Sequence, residues 1–218
     1  MIRAIIFDFD GVLVESVDIK TRAFAEMYKK HGREIVNKVV EYHLKNGGVS
    51  RFEKFRYYQE VLLGRKLTKQ EEVELGKRFS SLVEDMVVQA PWVPGAEAFL
   101  DMYYNQLDFH VASGTPDDEL LRIIRAREMS HYFLSMNGSN RNKGEIICDI
   151  MDKYGYQSYS VLMVGDAMSD YKGAIEAEVG FVGRVPGGQK SLFPPDTLMF
   201  DNPFDYLHSL FPSVNNNS

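Results

Sequence analysis

The pattern of apolar and polar positions divides the chain into three parts. Residues 4–7 form an unbroken apolar run of alanine, isoleucine and phenylalanine, which is typical of a strand buried on both faces in a parallel sheet. From about residue 17 to residue 89, apolar positions recur at helical spacing with almost no strand-like alternation. After residue 95, short apolar runs alternate with helical patterns. This order predicts an α/β protein with a helical insertion after its first strand.

The insertion contains four predicted helices. The first two are followed by glycine, which is common just after a helix. The third and fourth begin with a hydroxyl residue followed three positions later by glutamate, Ser50 with Glu53 and Thr68 with Glu71. This spacing is the signature of a capping box. The predicted helices cover residues 18–31, 34–45, 50–63 and 68–88.

Strands and helices alternate in the rest of the chain. Residues 91–95, rich in proline and glycine, mark the return from the insertion. The alternation favours a parallel sheet with helices on both faces. Strands are predicted at residues 108–112, 132–136, 160–164, 179–182 and 198–200, and helices at 95–105, 117–127, 143–154, 169–177 and 204–210. The polar residues 214–218 are predicted to be disordered.

Composition and charge narrow the class of protein. A chain of 218 residues with 44% hydrophobic residues can bury a sizeable core. Because we find neither a membrane span nor a signal peptide, and because Cys148 is the single cysteine, we expect a cytoplasmic protein without membrane contact. The formal net charge of −6 argues against nucleic-acid binding. We expect a monomer or a weak homodimer. Two groups of basic residues are interpreted as solvated helix faces: Arg51, Lys54 and Arg56, and Arg122, Arg125 and Arg127.

Two pairs of carboxylates follow predicted strands. Asp8 and Asp10 come directly after the first strand, and Asp166 and Asp170 follow the strand at residues 160–164. In open α/β sheets, ligands bind beyond the carboxyl ends of the strands. Carboxylates this close together favour a cation, and Mg²⁺ prefers oxygen ligands. The two pairs together predict a Mg²⁺ site, although an acidic turn at Asp8 and Asp10 and a helix cap at Asp170 remain open.

Two further polar positions lie beside predicted strand ends or helix starts. Ser113 and Gly114 follow the strand at residues 108–112, where a hydroxyl and free backbone N–H groups suit a phosphate oxygen. An ordinary helix cap is the alternative. Lys143 stands at the start of a helix, where the helix dipole disfavours a cation. It is either a fixed cation for phosphate and carboxylate oxygens or a solvated lysine.

The loop between the second and third predicted helices is a candidate for substrate recognition. Gly47 and Gly48 allow another chain segment to approach closely. Arg51 could form paired hydrogen bonds to an oxygen-rich group of a substrate. A simple connection between helices with a surface arginine is an equal alternative.

The ordered set of motifs resembles the haloacid dehalogenase-like (HAD) superfamily, in its phosphatase and β-phosphoglucomutase-like branch. The motifs that carry the resemblance are Asp8-x-Asp10-Gly11, Ser113, Lys143 and Gly165-Asp166-x-x-x-Asp170. The resemblance implies a Rossmann-like parallel sheet, and the helical insertion resembles the C1 cap of that family. We accordingly expect a core of residues 1–15 and 91–213 and a cap of residues 16–90.

The resemblance also implies roles for these residues. Asp8 would be the nucleophile that forms an aspartyl-phosphate, and Asp10 the general acid and base. Ser113 and Lys143 would bind the phosphoryl group. Mg²⁺ would be held by Asp8, the Asp10 carbonyl and Asp166. Asp170 would brace this site through water or Lys143.

The implied activity is Mg²⁺-dependent hydrolysis of a small phosphorylated metabolite. The loop at residues 46–51 resembles cap loops of sugar-phosphate phosphatases and β-phosphoglucomutase-like members of the family, which favours a sugar phosphate as substrate. Asp10 argues against a dehalogenase, because a departing halide needs no proton whereas an alkoxide does. A phosphosugar mutase uses the same intermediate and remains the alternative. A phospho-accepting signalling module is less favoured, because its motifs occur in a different order and it needs no helical insertion.

Overall fold

A six-stranded parallel sheet forms the centre of the molecule. The computed structural model describes residues 1–211, so the predicted disordered tail at residues 214–218 lies outside the described residues. The strand order is β3-β2-β1-β4-β5-β6, and every pairing is parallel. The predicted α/β fold is therefore confirmed. The strands are β1 (Ala4–Phe7), β2 (Asp108–Ala112), β3 (Ser135–Asn137), β4 (Val161–Gly165), β5 (Gly180–Arg184) and β6 (Met199–Phe200).

The central position of β1 explains where a site can form. Its four residues are fully buried, and Phe7 pairs in register with Val111 of β2 and Val164 of β4. The chain leaves β1 for β2 on one side and reaches β4 on the other, so the order of connections reverses here. Ligands bind at such switch points. Polar residues that follow β1, β2 and β4 must therefore meet at one edge of the sheet.

Four helices between β1 and β2 form a cap. They are α1 (Val17–Tyr28), α2 (Arg33–Lys45), α3 (Arg51–Tyr57) and α4 (Lys69–Val88). Aromatic rings fill the space between them: the ring centroid of Phe24 lies 5.8 Å from that of Phe55, 5.7 Å from Tyr58 and 4.4 Å from Phe79. These rings are almost completely buried and belong to the same apolar cluster as Phe7 of β1, so cap and sheet share a continuous apolar core. The predicted boundaries at residues 15/16 and 90/91 stay predictions.

Five helices cover both faces of the sheet. They are α5 (Ala96–Tyr103), α6 (Asp117–Ala126), α7 (Lys143–Tyr154), α8 (Met168–Glu176) and α9 (Pro203–Leu210). Phe7 of β1 packs with α5, α6 and α9 on one face, whereas Ile6 packs with α7 and α8 on the other. This alternation along β1 is the two-residue periodicity of a strand. Within residues 1–211, the helices are all too short or too polar to cross a lipid bilayer.

Three local predictions differ from the structure. The capping box at Thr68 is present, but Ser50 accepts from the N–H of Phe52, so the predicted box with Glu53 is wrong. The third predicted helix continues as a π-helical turn at Tyr58–Leu62. The predicted strand at residues 132–136 is replaced by the shorter β3, because Ser130–Tyr132 forms a 3-10 turn from which Tyr132 packs into the core without strand pairing.

Candidate active site

Asp8 directly follows β1 and is buried, with 2% of its surface exposed. Its N–H donates to the carbonyl oxygen of Val164 in β4 (2.9 Å), which continues the sheet pairing past the end of β1. Oδ1 of Asp8 accepts a hydrogen bond from the N–H of Phe9 (2.7 Å). Oδ2 lies 3.1 Å from Nζ of Lys143. The sheet and these partners therefore hold the Asp8 carboxylate in one orientation.

Three carboxylates converge beside the carboxyl end of β1. Asp8, Asp166 and Asp170 each offer an oxygen, and these oxygens lie within 4.8 Å of one another. Burial raises the pKa of Asp8 to about 7, although Lys143 opposes the rise. Burial and the charge of Asp8 raise the pKa of Asp166 well above its ordinary value of 3.8. The cluster carries excess negative charge that a divalent cation would offset, and its all-oxygen ligands fit Mg²⁺.

Gly11 allows the loop after β1 to lie against this cluster. Its φ is +79°, and a Cβ there would collide with the Asp166 carboxylate, so both the backbone and the space require glycine. Arg184, at the end of β5 and 173 positions further along the chain, donates to the Gly11 carbonyl (2.8 Å) and pairs with Glu15 (2.6 Å). The last part of the sheet thus fixes the shape of the loop that begins at Asp8.

Lys143, the first residue of α7, lies between two of the carboxylates. It is buried, and its ammonium group forms ion pairs with Asp170 and Asp8. Burial lowers the pKa of Lys143, but the charges of Asp170 and Asp8 outweigh it and raise this pKa above its ordinary value. Asp170 also accepts from the N–H of Ala167 (2.9 Å) and caps the start of α8. Lys143 is therefore not a solvated lysine, and its role as a cation for phosphate oxygens stays a prediction.

The Asp10 carboxylate is not part of the group of Asp8, Asp166 and Asp170, and it contacts hydroxyl groups and a lysine of the cap. It accepts from Ser16 (2.5 Å), Thr115 (3.1 Å) and Nζ of Lys20 in α1 (2.5 Å). Burial would raise the pKa of Asp10, but Lys20 and these hydrogen bonds lower it below its ordinary value. Lys20, Ser16 and Thr115 were missed by sequence reasoning. The sequence signal that could have indicated them is their position along the chain, since Ser16 and Lys20 follow Asp10 and Thr115 follows Ser113.

Ser113 follows β2 and is buried beside Asp10. Its hydroxyl donates to Asp10 Oδ2 at 3.5 Å and accepts from the N–H of Thr115 at 3.1 Å. The sheet therefore brings Ser113 to the same edge as Asp8, as the sequence predicts. Gly114 comes next and meets the cap: a Cβ on it would collide with the backbone of Gly48.

The cap loop at Gly47 and Gly48 lies directly on the core. Ser169 of α8 donates to the Gly47 carbonyl (3.0 Å). Gly48 has φ +68°, and a Cβ there would collide with the Ser169 hydroxyl. The predicted close approach of this loop is present, but contact of Gly47 and Gly48 with substrate stays a prediction.

The interpretation of Arg51 and Lys54 as solvated residues is wrong, since they are only 4% and 3% exposed. Arg51 forms two hydrogen bonds to Glu119 of α6 (2.5 and 2.8 Å) and one to Ser80 of α4 (2.9 Å). Glu119 supplies a counter-charge, which is the physical reason that Arg51 can be buried between cap and core. Arg127 is also partly buried and donates to three carbonyls near the end of the cap. Contact of Arg51 with substrate stays a prediction.

A cavity of about 860 Å³ lies between the cap and the core, next to these direct contacts. Asp8, Asp10 and Asp166 line it from the core, and Gly48 and Lys54 are among the residues that line it from the cap. This volume lies within the range of small-molecule sites. The cavity can therefore hold a metabolite with one end on the carboxylates and the other against the cap.

Comparisons with known proteins agree with this arrangement. A model of haloacid dehalogenase-like hydrolases matches residues 2–178. A Bacillus subtilis (strain 168) protein named "Putative phosphatase YhcW" is 30% identical over 106 residues. That match covers 46% of this chain and 43% of the relative, so the chain spans less than half of the relative's length.

Solved structures share the fold over nearly the whole chain. A hydrolase from Pseudomonas syringae has a TM-score of 0.75 at 19% identity, covering 95% of this chain and 97% of its own. A predicted phosphoglycolate phosphatase from Haemophilus somnus 129PT has a TM-score of 0.73 at 20% identity, covering 96% and 98%. At these identities, the likeness shows the fold alone. Since the family model spans most of the sequence, the chain belongs to the haloacid dehalogenase-like hydrolase family.

Proposed function

We propose that the protein is a Mg²⁺-dependent phosphomonoester hydrolase that acts on a small sugar phosphate. The observation that carries this proposal is the buried Asp8 carboxylate, which lines the cavity while Lys143 and the acidic cluster surround it. A carboxylate held in this way is suited to nucleophilic attack on phosphorus. Phosphoryl transfer depends mainly on positioning and electrostatic stabilisation, which these neighbours supply.

The reaction has two halves. Asp8 attacks phosphorus and forms an aspartyl-phosphate as the bond from phosphorus to the alkoxide oxygen breaks. Asp10, which must take up a proton beforehand despite its ion pair with Lys20, gives this proton to the departing alkoxide. Asp10 then accepts a proton from the water that hydrolyses the intermediate, which releases inorganic phosphate and restores Asp8. The position of Asp10 supports this role, because its carboxylate lines the cavity without joining the three carboxylates of the metal cluster.

The remaining residues neutralise and orient the phosphoryl group. Asp8, Asp166 and the Asp10 carbonyl would hold Mg²⁺, which supplies positive charge to the phosphate oxygens when bound. Lys143 contributes a second positive charge, and its pairing with Asp170 keeps it in place. Ser113 donates a hydrogen bond to a phosphate oxygen in exchange for its long contact with Asp10.

Phosphate release tests the proposal. Purified protein is incubated with p-nitrophenyl phosphate and with a panel of sugar phosphates, with Mg²⁺ or with EDTA. We expect release only with Mg²⁺, and we expect Asp8→Asn to lower kcat by at least about a thousandfold. Asp18→Asn is the matched control, because Asp18 is an exposed acid at the rim of the same cavity. Full activity of Asp8→Asn contradicts the assigned nucleophile.

The same incubation separates hydrolysis from the alternative mutase reaction. Hydrolysis releases inorganic phosphate from the sugar phosphate. A mutase instead forms a sugar phosphate isomer and depends on a bisphosphate primer. Isomer formation without phosphate release would replace the hydrolase proposal with the mutase.

A further inference from the structure

Lys54 is a buried lysine without a carboxylate partner. Within residues 1–211, four cationic side chains are buried: Arg51, Lys54, Lys143 and Arg184. Ion pairs join the other three to Glu119, to Asp8 and Asp170, and to Glu15. In this described part of the chain, the one hydrogen-bonding partner of the Lys54 ammonium is Nδ1 of His43, at 2.9 Å. A buried charge in this condition is costly unless a ligand supplies its counter-charge.

His43 of α2 is also incompletely paired. Only 6% of its surface is exposed, and its ring packs against Phe24 with the two ring centroids 4.8 Å apart. Its Nε2 is buried and has no hydrogen-bonding partner among the described residues. Burial and the charge of Lys54 lower the pKa of His43 to about 3, so the ring is neutral. Since an ammonium can only donate, Nδ1 accepts from Lys54 and the ring proton lies on Nε2.

The pair therefore has three donors to offer. Two N–H groups of Lys54 and the Nε2–H of His43 are without protein acceptors. Buried donors of this kind normally find a partner. The single positive charge and the two free N–H groups of Lys54 match one carboxylate, whose two oxygens accept several hydrogen bonds. The Nε2–H of His43 points to another side of the ring from Nδ1, so it can donate only to a different oxygen of the same ligand. A second phosphate would bring more negative charge than this pair neutralises.

The pair lies on the wall of the substrate cavity. His43 and Lys54 line it from the cap, and Asp8 and Asp166 line it from the core. The charges of Asp10 and Asp166 act on Lys54 and raise its pKa, but burial outweighs them and lowers that pKa to about 7. Lys54 thus shares the cavity with the reacting carboxylates without touching them. In the proposed function the phosphate lies at the core end beside Lys143, so a ligand that spans the cavity can offer Lys54 a second anionic group.

We propose that Lys54, which His43 holds in position, binds a carboxylate, so that the substrate is a phosphomonoester with a carboxylate at the end away from its phosphate. This inference rests on the proposed hydrolase function and narrows its sugar phosphate to a phosphorylated sugar acid. Arg51, which the sequence suggested for substrate recognition, is already neutralised by Glu119. Lys54 is the buried cap cation that retains an unmatched charge.

A matched pair of compounds tests the carboxylate. 6-Phosphogluconate and glucose 6-phosphate share six carbons and a terminal phosphate, but only the first carries a carboxylate. Because glucose 6-phosphate is mainly a ring, open-chain glucitol 6-phosphate is measured beside it and must give the same preference. We expect the kcat/KM of the wild-type protein to favour 6-phosphogluconate by about tenfold or more, and Lys54→Met to reduce this preference by about tenfold. His43→Phe, which keeps the ring against Phe24, should reduce it by about threefold or more. Lys45→Met is the control, since Lys45 is an exposed cavity residue paired with Glu41.

Several outcomes overturn the inference. One is an unchanged preference in Lys54→Met, and another is a wild-type preference for glucose 6-phosphate. A third is a preference for fructose 1,6-bisphosphate over fructose 6-phosphate that exceeds the preference for 6-phosphogluconate over glucose 6-phosphate. It would show that Lys54 binds a second phosphate and not a carboxylate.

Absence of phosphate release from every compound, p-nitrophenyl phosphate included, would refute the proposed hydrolase function instead. The carboxylate site is then tested by the binding of the two compounds to the Asp8→Asn variant, in which the substitution prevents turnover. With Mg²⁺ present, 6-phosphogluconate should raise its Tm more than glucose 6-phosphate, and adding Lys54→Met should remove the difference. Equal Tm shifts would overturn the carboxylate site by itself.

Discussion

Replacement of Lys54 by methionine should stabilise the protein. Burial lowers the pKa of Lys54 from its ordinary value of 10.5 to about 7. At about 1.4 kcal/mol for each pKa unit, charging Lys54 in the folded protein costs about 5 kcal/mol. Methionine has a similar length and fills the same space next to Phe24 without this cost. We expect the free energy of unfolding of Lys54→Met at pH 7 to exceed that of the wild type by about 2–4 kcal/mol.

The stability difference between Lys54→Met and the wild type should depend on pH. In the unfolded chain Lys54 binds a proton below pH 10.5, whereas in the folded protein it does so only below about pH 7. Between these values the unfolded state binds more protons, so this residue makes wild-type stability rise with pH. The advantage of Lys54→Met should therefore be largest at pH 7 and below, and should shrink towards pH 10.

Urea denaturation at several pH values measures this difference. The single tryptophan, Trp92, is partly buried and reports unfolding by its fluorescence. Lys45→Met is again the control, and we expect its stability to stay close to that of the wild type because Lys45 is exposed. Two results would refute the reasoning: a less stable Lys54→Met at pH 7, or a stability difference that is the same at pH 7 and pH 10.

Four other variants test the site and the contact between cap and core. Mg²⁺ should raise the Tm of the wild type, and Asp166→Asn should lose most of this increase because a ligand is removed; an unchanged increase contradicts the metal site. Lys143→Met leaves Asp8 without its counter-charge and should cost about 3–5 kcal/mol in urea denaturation. Arg51→Ala should cost a similar amount, since it leaves Glu119 buried and unpaired. Adding Glu119→Gln should recover at least about 1 kcal/mol; no recovery argues against a buried charge at Glu119.

The parts of the fold that follow from local patterns were predictable from the sequence. The bounds of β2 and α7 agree with the prediction, because polar residues and turns delimit their apolar patterns clearly. The predicted strand at residues 132–136 was too long, since Tyr132 is apolar and buried but its backbone is in a 3-10 turn. Burial alone does not distinguish a strand from a buried turn.

The carboxylates were predictable for a different reason. A parallel sheet brings the carboxyl ends of neighbouring strands to one edge, so Asp8 and Asp166 had to approach each other once the strands were recognised. No such rule relates the cap to the core. The contacts of Lys20 and Arg51 depend on how α1 and α3 pack against the core, and the contact of Lys54 depends on how α3 packs against α2. The sequence has no repeated spacing that reveals this packing.

The contact between Arg184 and the loop after β1 has a consequence for synthesis of the protein. Asp8 is synthesised long before its loop is complete, because the arginine that contacts this loop is made 173 residues after Gly11. A nascent chain that ends before β5 has every one of the predicted catalytic residues and lacks this final brace. We therefore expect the reaction centre to reach its working shape only after β5 has been synthesised.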